Sequence, residues 1–470
     1  MGFIDYSREP RSDIAFIDMK SFYASVECIE RGLNPLRTSL CVMSRGENSN
    51  GLILASSPMF KQVFGRKNVG RAYDLPFDLK TRRLTHQFLS GHTLSQKECD
   101  LLELWAKRTL IVAPRMDLYI KKNLEIQTIF QDYASVKDIL PYSIDEGFID
   151  LTSSLNYFYD NPKVNRKQKL SAIVERIQND IFQKTGIYAA AGLSNANPLL
   201  AKLALDNEAK KTPKLQANWS YEDVETKVWS IKSLTDFWGI GKAMEKRLQK
   251  MGIYSIRELA NSNPDNLKKE FGIMGVQLWF HANGVDESNV HKPYKTHSKG
   301  IGNSQILPRD YVMQSEIELV LSEMAEQVAI RLRRLKKQTC NISIYIGYSK
   351  TESGKQPIRA QMKLEPTHLT DTLIDKALFL FRQKYSGGAV RQIAVRYSHF
   401  VDENYKLISL FEDVEKTEKI ENLQGAIDAV RDQFGYLSLQ KANVLLEGSR
   451  RIERSKLIGG HSAGGLDGLK

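Results

Sequence analysis

Three carboxylates in this sequence stand where two strands could carry them to one point. Asp18 ends the apolar run Ile14-Ala-Phe-Ile-Asp18, and Asp145 and Glu146 sit together inside Tyr142-Ser-Ile-Asp-Glu-Gly-Phe-Ile-Asp-Leu151. Carboxylate oxygens are hard ligands, and three of them suit Mg²⁺, the ion with which phosphoryl-transfer enzymes clamp substrate phosphates. Neighbouring residues of a straight strand face opposite sides. Asp145 and Glu146 therefore reach one ion only if a hairpin turn or bulge falls there. Taken singly, an Asp-Glu pair on a turn or an acid capping a strand end is ordinary; taken together and in this order, they read as a metal site.

The elements that must position these acids can be read from hydrophobic spacing. Ile14 to Ile17 reads as a buried central strand, and Phe22, Val26 and Ile29 recur at helical spacing before Gly32, so strand passes into helix near Asp18. Leu52 to Pro58 is a second short strand breaking into a turn. The stretch from Lys80 to about Arg108 is polar, then helical, and reads as an insertion outside the core. Leu170 to Phe182 is an amphipathic helix, Tyr188 to Leu193 another buried strand, and Asn197-Pro198 opens a helix running to Lys210 and Lys211. Together they predict an α+β or α/β core. From about Asn218 to Asp286 the pattern is helical, and residues 291–300, basic and without periodicity, read as a linker. A separate domain follows, with a helix marked by Ile317, Val320, Leu321, Met324, Val328 and Leu335, alternating strands at Ile342 to Ile346 and Ile393 to Tyr397, and a late helix from Ile420 to Phe434. The Gly-rich end from Gly459 reads as flexible.

A chain of 470 residues exceeds one hydrophobic core, so several domains are expected. The 67 Lys and Arg against 55 Asp and Glu leave a net charge of +12, which favours a polyanionic partner such as nucleic acid. Cys28, Cys41, Cys99 and Cys340 are far apart, which excludes a zinc ribbon or a C-x-x-C redox motif and suggests reduced thiols. The start of the chain carries no apolar signal core, and no apolar run is long enough to span a bilayer. A protein working in the cytoplasm or on the nucleoid, with no membrane partner, is expected.

The motif Asp18-Met-Lys-Ser-Phe-Tyr-Ala-Ser-Val-Glu27, followed in this order by Ser143-Ile-Asp-Glu146, resembles the two catalytic motifs of the Y-family translesion DNA polymerases, most closely the UmuC-like branch. The resemblance implies an α+β multidomain right hand with an α/β palm (1–21 and 111–217), small fingers with an insertion (22–110), a helical thumb (218–290), a linker (291–300), an α+β little finger (301–413) and a helical extension with a flexible tail (414–470). It implies template-directed addition of dNTPs to a primer 3′ end in DNA damage tolerance within an SOS response, with low fidelity. Asp18, Asp145 and Glu146, with the backbone carbonyl of Met19, would hold two Mg²⁺ ions. Some family members carry a further acid two positions after the first; Lys20 stands there in this chain. Tyr23 would be the steric gate, an aromatic ring leaving no room for the 2′-hydroxyl that separates RNA from DNA, and Phe22 would flank the nucleotide. Ser56 and Lys61, in Ala55 to Gly65, match the fingers motif that reaches the triphosphate, although the family's basic residue falls on Gln62. Lys210, from Ala201 to Lys211, matches the palm lysine; the alternative is a cation favouring a helix C-terminus.

Further residues would meet the duplex. Phe237 to Gly252 resembles a helix-hairpin-helix, in which Gly239, Gly241 and Lys242 bring backbone N–H groups and a charge to a DNA phosphate. It is not a Walker A loop, because Ala243 replaces the required Ser or Thr. Arg309, Arg331 and Arg333 would add phosphate contacts, with a solvated helix face as the alternative for the last two. Leu407-Ile-Ser-Leu-Phe411 resembles a sliding-clamp peptide, Leu410 and Phe411 filling the pocket, with Leu407 in place of the usual Gln; an edge strand is the alternative. A sliding clamp and a UmuD-like or recombinase partner are therefore expected. Against a polymerase stand a catalytically silent accessory factor of the same fold and a repair nuclease or glycosylase using the hairpin motif.

Overall fold

The computed structural model describes residues 4–44, 51–65, 70–292, 300–403 and 414–463. It divides into two compact units, Met1–Pro114 with Leu118–Tyr294, and Arg115–Asp117 with Lys295–Lys470. In the first, β1 (Ile14–Met19) leads into α1 (Phe22–Ile29), β2 (Leu40–Met43), β3 (Ile53–Ser56), α2 (Pro58–Phe64), α3 (His86–Ser90), α4 (Gln96–Arg108) and β4 (Leu110–Val112). There follow α5 (Met116–Gln131), β5 (Ile139–Pro141), β6 (Glu146–Asp150), α6 (Leu155–Phe158), α7 (Arg166–Thr185), β7 (Ala189–Ser194), α8 (Pro198–Asn207) and β8 (Gln216–Asn218). Four short helices end the unit: α9 (Lys242–Lys250), α10 (Ile256–Ala260), α11 (Pro264–Phe271) and α12 (Ile273–Ala282).

The main sheet has the order β5-β6-β1-β7-β8, with β1 between two antiparallel neighbours. Its apolar run is unbroken because both faces are covered: Ile14 to Ile17 are each no more than 1% exposed. One face is closed by α8. The helix starts where the Asn197 side chain accepts the Leu200 N–H and Pro198 takes the first turn. It lies on β7 at Gly192, where a Cβ would stand 1.9 Å from the Ala201 carbonyl oxygen and 2.4 Å from the Leu205 nitrogen. Only glycine permits that approach.

A smaller sheet, β3-β2-β4, carries its own core of Phe60, Phe64, Phe77 and Ala106, with Leu102 and Trp105 packed against it. This corrects the reading of residues 80–108 as an insertion outside the core: α4 closes the core. The apolar side of α4 is narrow, which is why its sequence looks merely polar and helical.

The second unit contains β9 (Gly300–Tyr311), α13 (Gln314–Arg334), β10 (Lys337–Tyr348), β11 (Ile358–Thr367), α14 (Thr370–Lys384), β12 (Val390–Asp402), α15 (Val414–Phe434), α16 (Arg451–Ser455), β13 (Leu457–Ile458) and β14 (His461–Ser462). Its antiparallel sheet, β11-β10-β12-β9, shares one core with α13 and α14. Residues 459–463 differ from the expected flexible end, and residues 464–470 lie outside the described residues. Gly459 and Gly460, at φ 58° and 86°, turn a small hairpin between β13 and β14. The segment from α15 onward is tied to α13 by ions: Glu326 meets Arg431 at 3.0 Å and Arg451 at 2.5 Å, and Glu323 meets Arg454 at 2.7 Å, all largely buried. Among the described residues no helix is long and apolar enough to cross a membrane.

Candidate active site

The three acids lie at one end of the main sheet. Asp18, next to last in β1, pairs in register with Glu146, the first residue of β6, so their side chains leave the same face. Asp145 lies just before β6, in the turn that joins it to β5. That turn is closed by Tyr142 and Ser143, whose N–H groups both donate to the Glu146 carbonyl at 2.9 and 3.0 Å, and by Met19 N–H donating to the Asp145 carbonyl at 2.9 Å. The break in alternation required for Asp145 and Glu146 is thus a hairpin turn. Between β1 and α1 the chain reverses at Ser21, held left-handed at φ 51° and ψ 47°, a conformation that costs a non-glycine residue roughly 1 kcal/mol. Lys20 N–H donating to the Tyr188 carbonyl at 2.8 Å and Ser25 Oγ donating to the Lys20 carbonyl at 2.6 Å hold both sides of the reversal.

Each carboxylate already has a partner. Lys210 Nζ stands 2.6 Å from Asp18, and Lys202 Nζ stands 2.7 Å from Glu146 while lying 4.4 Å over the Phe16 ring. Asp206 is 3.3 Å from both lysines. Ser143 Oγ donates to Asp145 at 2.8 Å. Burial pushes the Asp18 carboxyl up to about 6, Glu146 and Asp145 push the same way, and Lys210 opposes them. Burial also raises Asp145, against its hydrogen bond from Ser143. Burial alone would lower Lys210, but Asp18 and Asp206 outweigh it and hold the ammonium above the usual lysine range. Burial lowers Lys61 despite the pull of Asp18.

Asp18 and Asp145, carboxyls that burial makes resist ionisation, supply hard oxygens suited to a divalent cation, and Glu146 adds another carboxylate beside them. Among the described residues no three acidic, histidine or cysteine side chains yet converge in coordinating geometry. The two lysines hold one oxygen of each strand acid, Asp18 Oδ2 and Glu146 Oε2. The residues fit Mg²⁺ once those ammonium groups are displaced.

A cleft of about 880 Å³ opens beside the acids, lined among others by Asp18, Met19, Tyr23, Ser56, Lys61 and Lys210. Phe22 and Asp145 line it too; Glu146, turned toward Lys202, does not. Lys61 Nζ donates to Ser21 Oγ at 3.1 Å. The Tyr23 ring stacks on Tyr119, centroids 4.4 Å apart, and the Tyr119 hydroxyl donates to the buried Glu27 carboxylate at 2.7 Å. Sequence reasoning missed Tyr119 and Glu27. It also missed Lys202 and Asp206, although Lys202, Asp206 and Lys210 recur every fourth residue, which is a legible signal.

The sequence profile described as the impB/mucB/samB family matches residues 17–206, its C-terminal domain matches 298–410, and the IMS family HHH motif matches 221–253. The chain is 36% identical over 98% of its length to all of the "Putative UV-damage repair protein UvrX" of Bacillus subtilis (strain 168). The chain belongs to the impB/mucB/samB family. Another relative of this family is "DNA polymerase IV 2" of the same organism, 32% identical over 95% of this chain and 98% of that one. The solved "Y-family DNA polymerase chimera Dbh-Dpo4(243-245)-Dbh" shares the fold, with a TM-score of 0.60 at 17% identity over 83% of this chain and 99% of that one. The chain is thus a DNA-directed DNA polymerase of the Y-family, UmuC-like type.

The other residues expected from the impB/mucB/samB resemblance fall outside the cleft. Gly239 has φ 99°, which favours glycine, and Gly241 caps α9 with no side-chain hydrogen bond, beside the exposed Lys242. Arg309 pairs with Glu316, and Arg331 donates to the Gly302 carbonyl at 3.0 Å; both are exposed. Arg333 is different. Its guanidinium is 2.6 Å from Asp428 and donates to the His368 carbonyl and Thr370 Oγ1 at 2.9 and 3.0 Å. It ties α15 to α13 and is not free for phosphate, a correction that comes from a partner 95 positions away. Leu410 and Phe411 lie outside the described residues.

Proposed function

We propose that this polymerase carries out translesion synthesis, adding a deoxynucleotide to a primer 3′ end by two-Mg²⁺ transfer. The observation that carries the reading is the cross-strand pairing of Asp18 with Glu146, Asp145 standing in the adjoining turn at the head of the cleft. Asp18, Asp145 and Glu146, with the Met19 carbonyl, would hold the ions, which when bound lower the pKa of the attacking hydroxyl and neutralise developing phosphate charge. Tyr23, backed by Tyr119, lies under the sugar and excludes a 2′-hydroxyl. Lys210, Lys61 and Ser56 meet the triphosphate, and Phe22 flanks the nucleotide. The turn at Gly239, Gly241 and Lys242 grips a phosphate of the duplex, and Arg309 and Arg331 add salt-sensitive contacts. The boundaries expected from sequence for palm, fingers, thumb, linker, little finger and extension are kept as part of this proposal.

Residues 407–411 would bind a sliding clamp, and a UmuD-like or recombinase partner completes the assembly in the cytoplasm, on the nucleoid. The test is extension across a template abasic site in the presence of Mg²⁺. Extension past the lesion where a high-fidelity polymerase stalls supports the reading. Stalling at the lesion by an enzyme that copies intact template removes the translesion role.

A further inference from the structure

We infer that Asp206 is a positioning residue that receives Lys202 and Lys210 when cations claim Glu146 and Asp18, and that it thereby sets cation affinity and holds Lys210 for the triphosphate. The nucleotide half of this inference rests on the polymerase reading above.

The argument starts from spacing. Lys202 and Asp206 lie on α8 and Lys210 in the turn after it, four residues apart, and so form one stripe. The stripe faces the strand ends: Lys202 meets Glu146 at 2.7 Å and Lys210 meets Asp18 at 2.6 Å. Asp206 stands between them, Oδ2 3.3 Å from Lys202 and Oδ1 3.3 Å from Lys210. The chain of charges Glu146, Lys202, Asp206, Lys210, Asp18 therefore closes across the sheet end.

Lys202 holds Glu146 Oε2 and Lys210 holds Asp18 Oδ2. A cation that binds these same oxygens competes with the ammonium groups and moves both lysines off their strand acids. Lys202 has little freedom to leave, with its side chain only 9% exposed and its ammonium against the Phe16 ring. A buried ammonium beside a newly bound cation, with no acid of its own, is strongly unfavourable. Asp206 is the remaining acid paired with it. Lys210 is more exposed, at 44%. A lysine released from Asp18 but still tethered to Asp206 keeps its charge at the wall of the cleft, where an incoming triphosphate needs it. Asp206, 31% exposed and with no contact to Asp18 or Asp145 among its ion pairs, acts through the lysines.

The test compares Asp206→Asn, Asp206→Glu, Lys210→Met and the Asp206→Asn/Lys210→Met double variant, with Glu208→Gln as a charge control. Glu208 sits at the end of the same helix but pairs with Trp219 and Lys227. Mn²⁺ binding to full-length protein without DNA or nucleotide is titrated by electron paramagnetic resonance. Asp206→Asn should weaken it roughly tenfold, the scale of one charge-assisted hydrogen bond, while Asp206→Glu and Glu208→Gln bind like wild type. In primer extension, Asp206→Asn should raise the dNTP KM more than it lowers kcat, and should add nothing in the Lys210→Met background. Unchanged Mn²⁺ affinity in Asp206→Asn, equal weakening by Glu208→Gln, or KM effects of Asp206→Asn and Lys210→Met that multiply would overturn the inference. If wild type extends no primer, the polymerase reading fails, and the Mn²⁺ titration still decides the role of Asp206 toward the cation.

Discussion

The Tyr23 ring lies face to face with that of Tyr119, centroids 4.4 Å apart and planes 15° apart, while the Tyr119 hydroxyl is anchored on the fully buried Glu27. A side chain that is to exclude one hydroxyl group must not yield by an ångström. A ring stacked on a second, anchored ring meets that demand. Tyr23→Ala should therefore raise ribonucleotide incorporation by more than tenfold, and Tyr119→Leu should raise it less, by leaving the gate in place but unbacked. Tyr119→Phe removes only the anchor and should cost about 1–2 kcal/mol of stability. Single-nucleotide insertion of matched rNTP and dNTP pairs checks the first two and chemical denaturation the third, and unchanged sugar discrimination in Tyr23→Ala removes the gate from that residue.

The approach of α8 to β7 gives a stability prediction. Gly192→Ala drives a methyl group into the Ala201 carbonyl and the Leu205 nitrogen, both backbone atoms that cannot rotate aside. The helix must shift, and Lys202 and Asp206 shift with it. A loss of about 3 kcal/mol or more in chemical denaturation is expected, and polymerase activity should fall with it.

The arginines of the second unit separate into two kinds. Arg331→Ala and Arg309→Ala should each lower the slope of log affinity against log salt for primer-template DNA by about one. Arg333→Ala should leave that slope unchanged and instead destabilise the unit by about 3 kcal/mol, because Asp428 loses its partner. Salt-dependent binding by fluorescence anisotropy, run beside thermal melts, distinguishes the two outcomes.

Acid should release the C-terminal segment before it unfolds the rest of its unit. Burial alone would raise Glu326, but Arg451 and Arg431 outweigh it and hold the carboxyl below the usual glutamate range. A folded-state value below the unfolded one contributes stability that is fully present above about pH 4.3 and lost as pH falls below it. Hydrogen exchange in α15 and α16 should therefore rise first as pH drops under 4. Glu326→Gln should show the same loosening at pH 7, and exchange in α15 that ignores both changes contradicts the ionic tie.

Much of the site is legible in sequence because of how it is covered. β1 is enclosed on both faces, so it spells an unbroken apolar run, and an acid at its end stands out. The adjacent acids Asp145 and Glu146 demand a turn by alternation alone. Tyr119 is not legible in the same way: an aromatic on a helix gains its meaning only from the ring it meets. The stripe Lys202, Asp206, Lys210 is written at helical spacing, yet it reads as ordinary surface pairing until the strand ends lie opposite it. Arg333 sits in a basic cluster that resembles a phosphate site, and only Asp428, on a helix remote in sequence, shows where its charge goes. The core role of α4 is hidden because only Leu102, Trp105 and Ala106 of its thirteen residues pack on the core, while Leu101 and Leu104 are exposed and blur the pattern.

The central claim is that Asp18, Asp145 and Glu146 form one cation-dependent nucleotidyl-transfer site. Its most direct measurement is Mg²⁺-dependent extension of a primed template by the purified chain beside Asp145→Asn, a substitution that keeps size and removes the charge. Wild type should extend the primer, stop when the metal is chelated and resume when it is restored, while Asp145→Asn loses at least a thousandfold in rate with its fold intact by circular dichroism. Extension by Asp145→Asn at the wild-type rate, or wild-type extension that persists without divalent cation, contradicts the account.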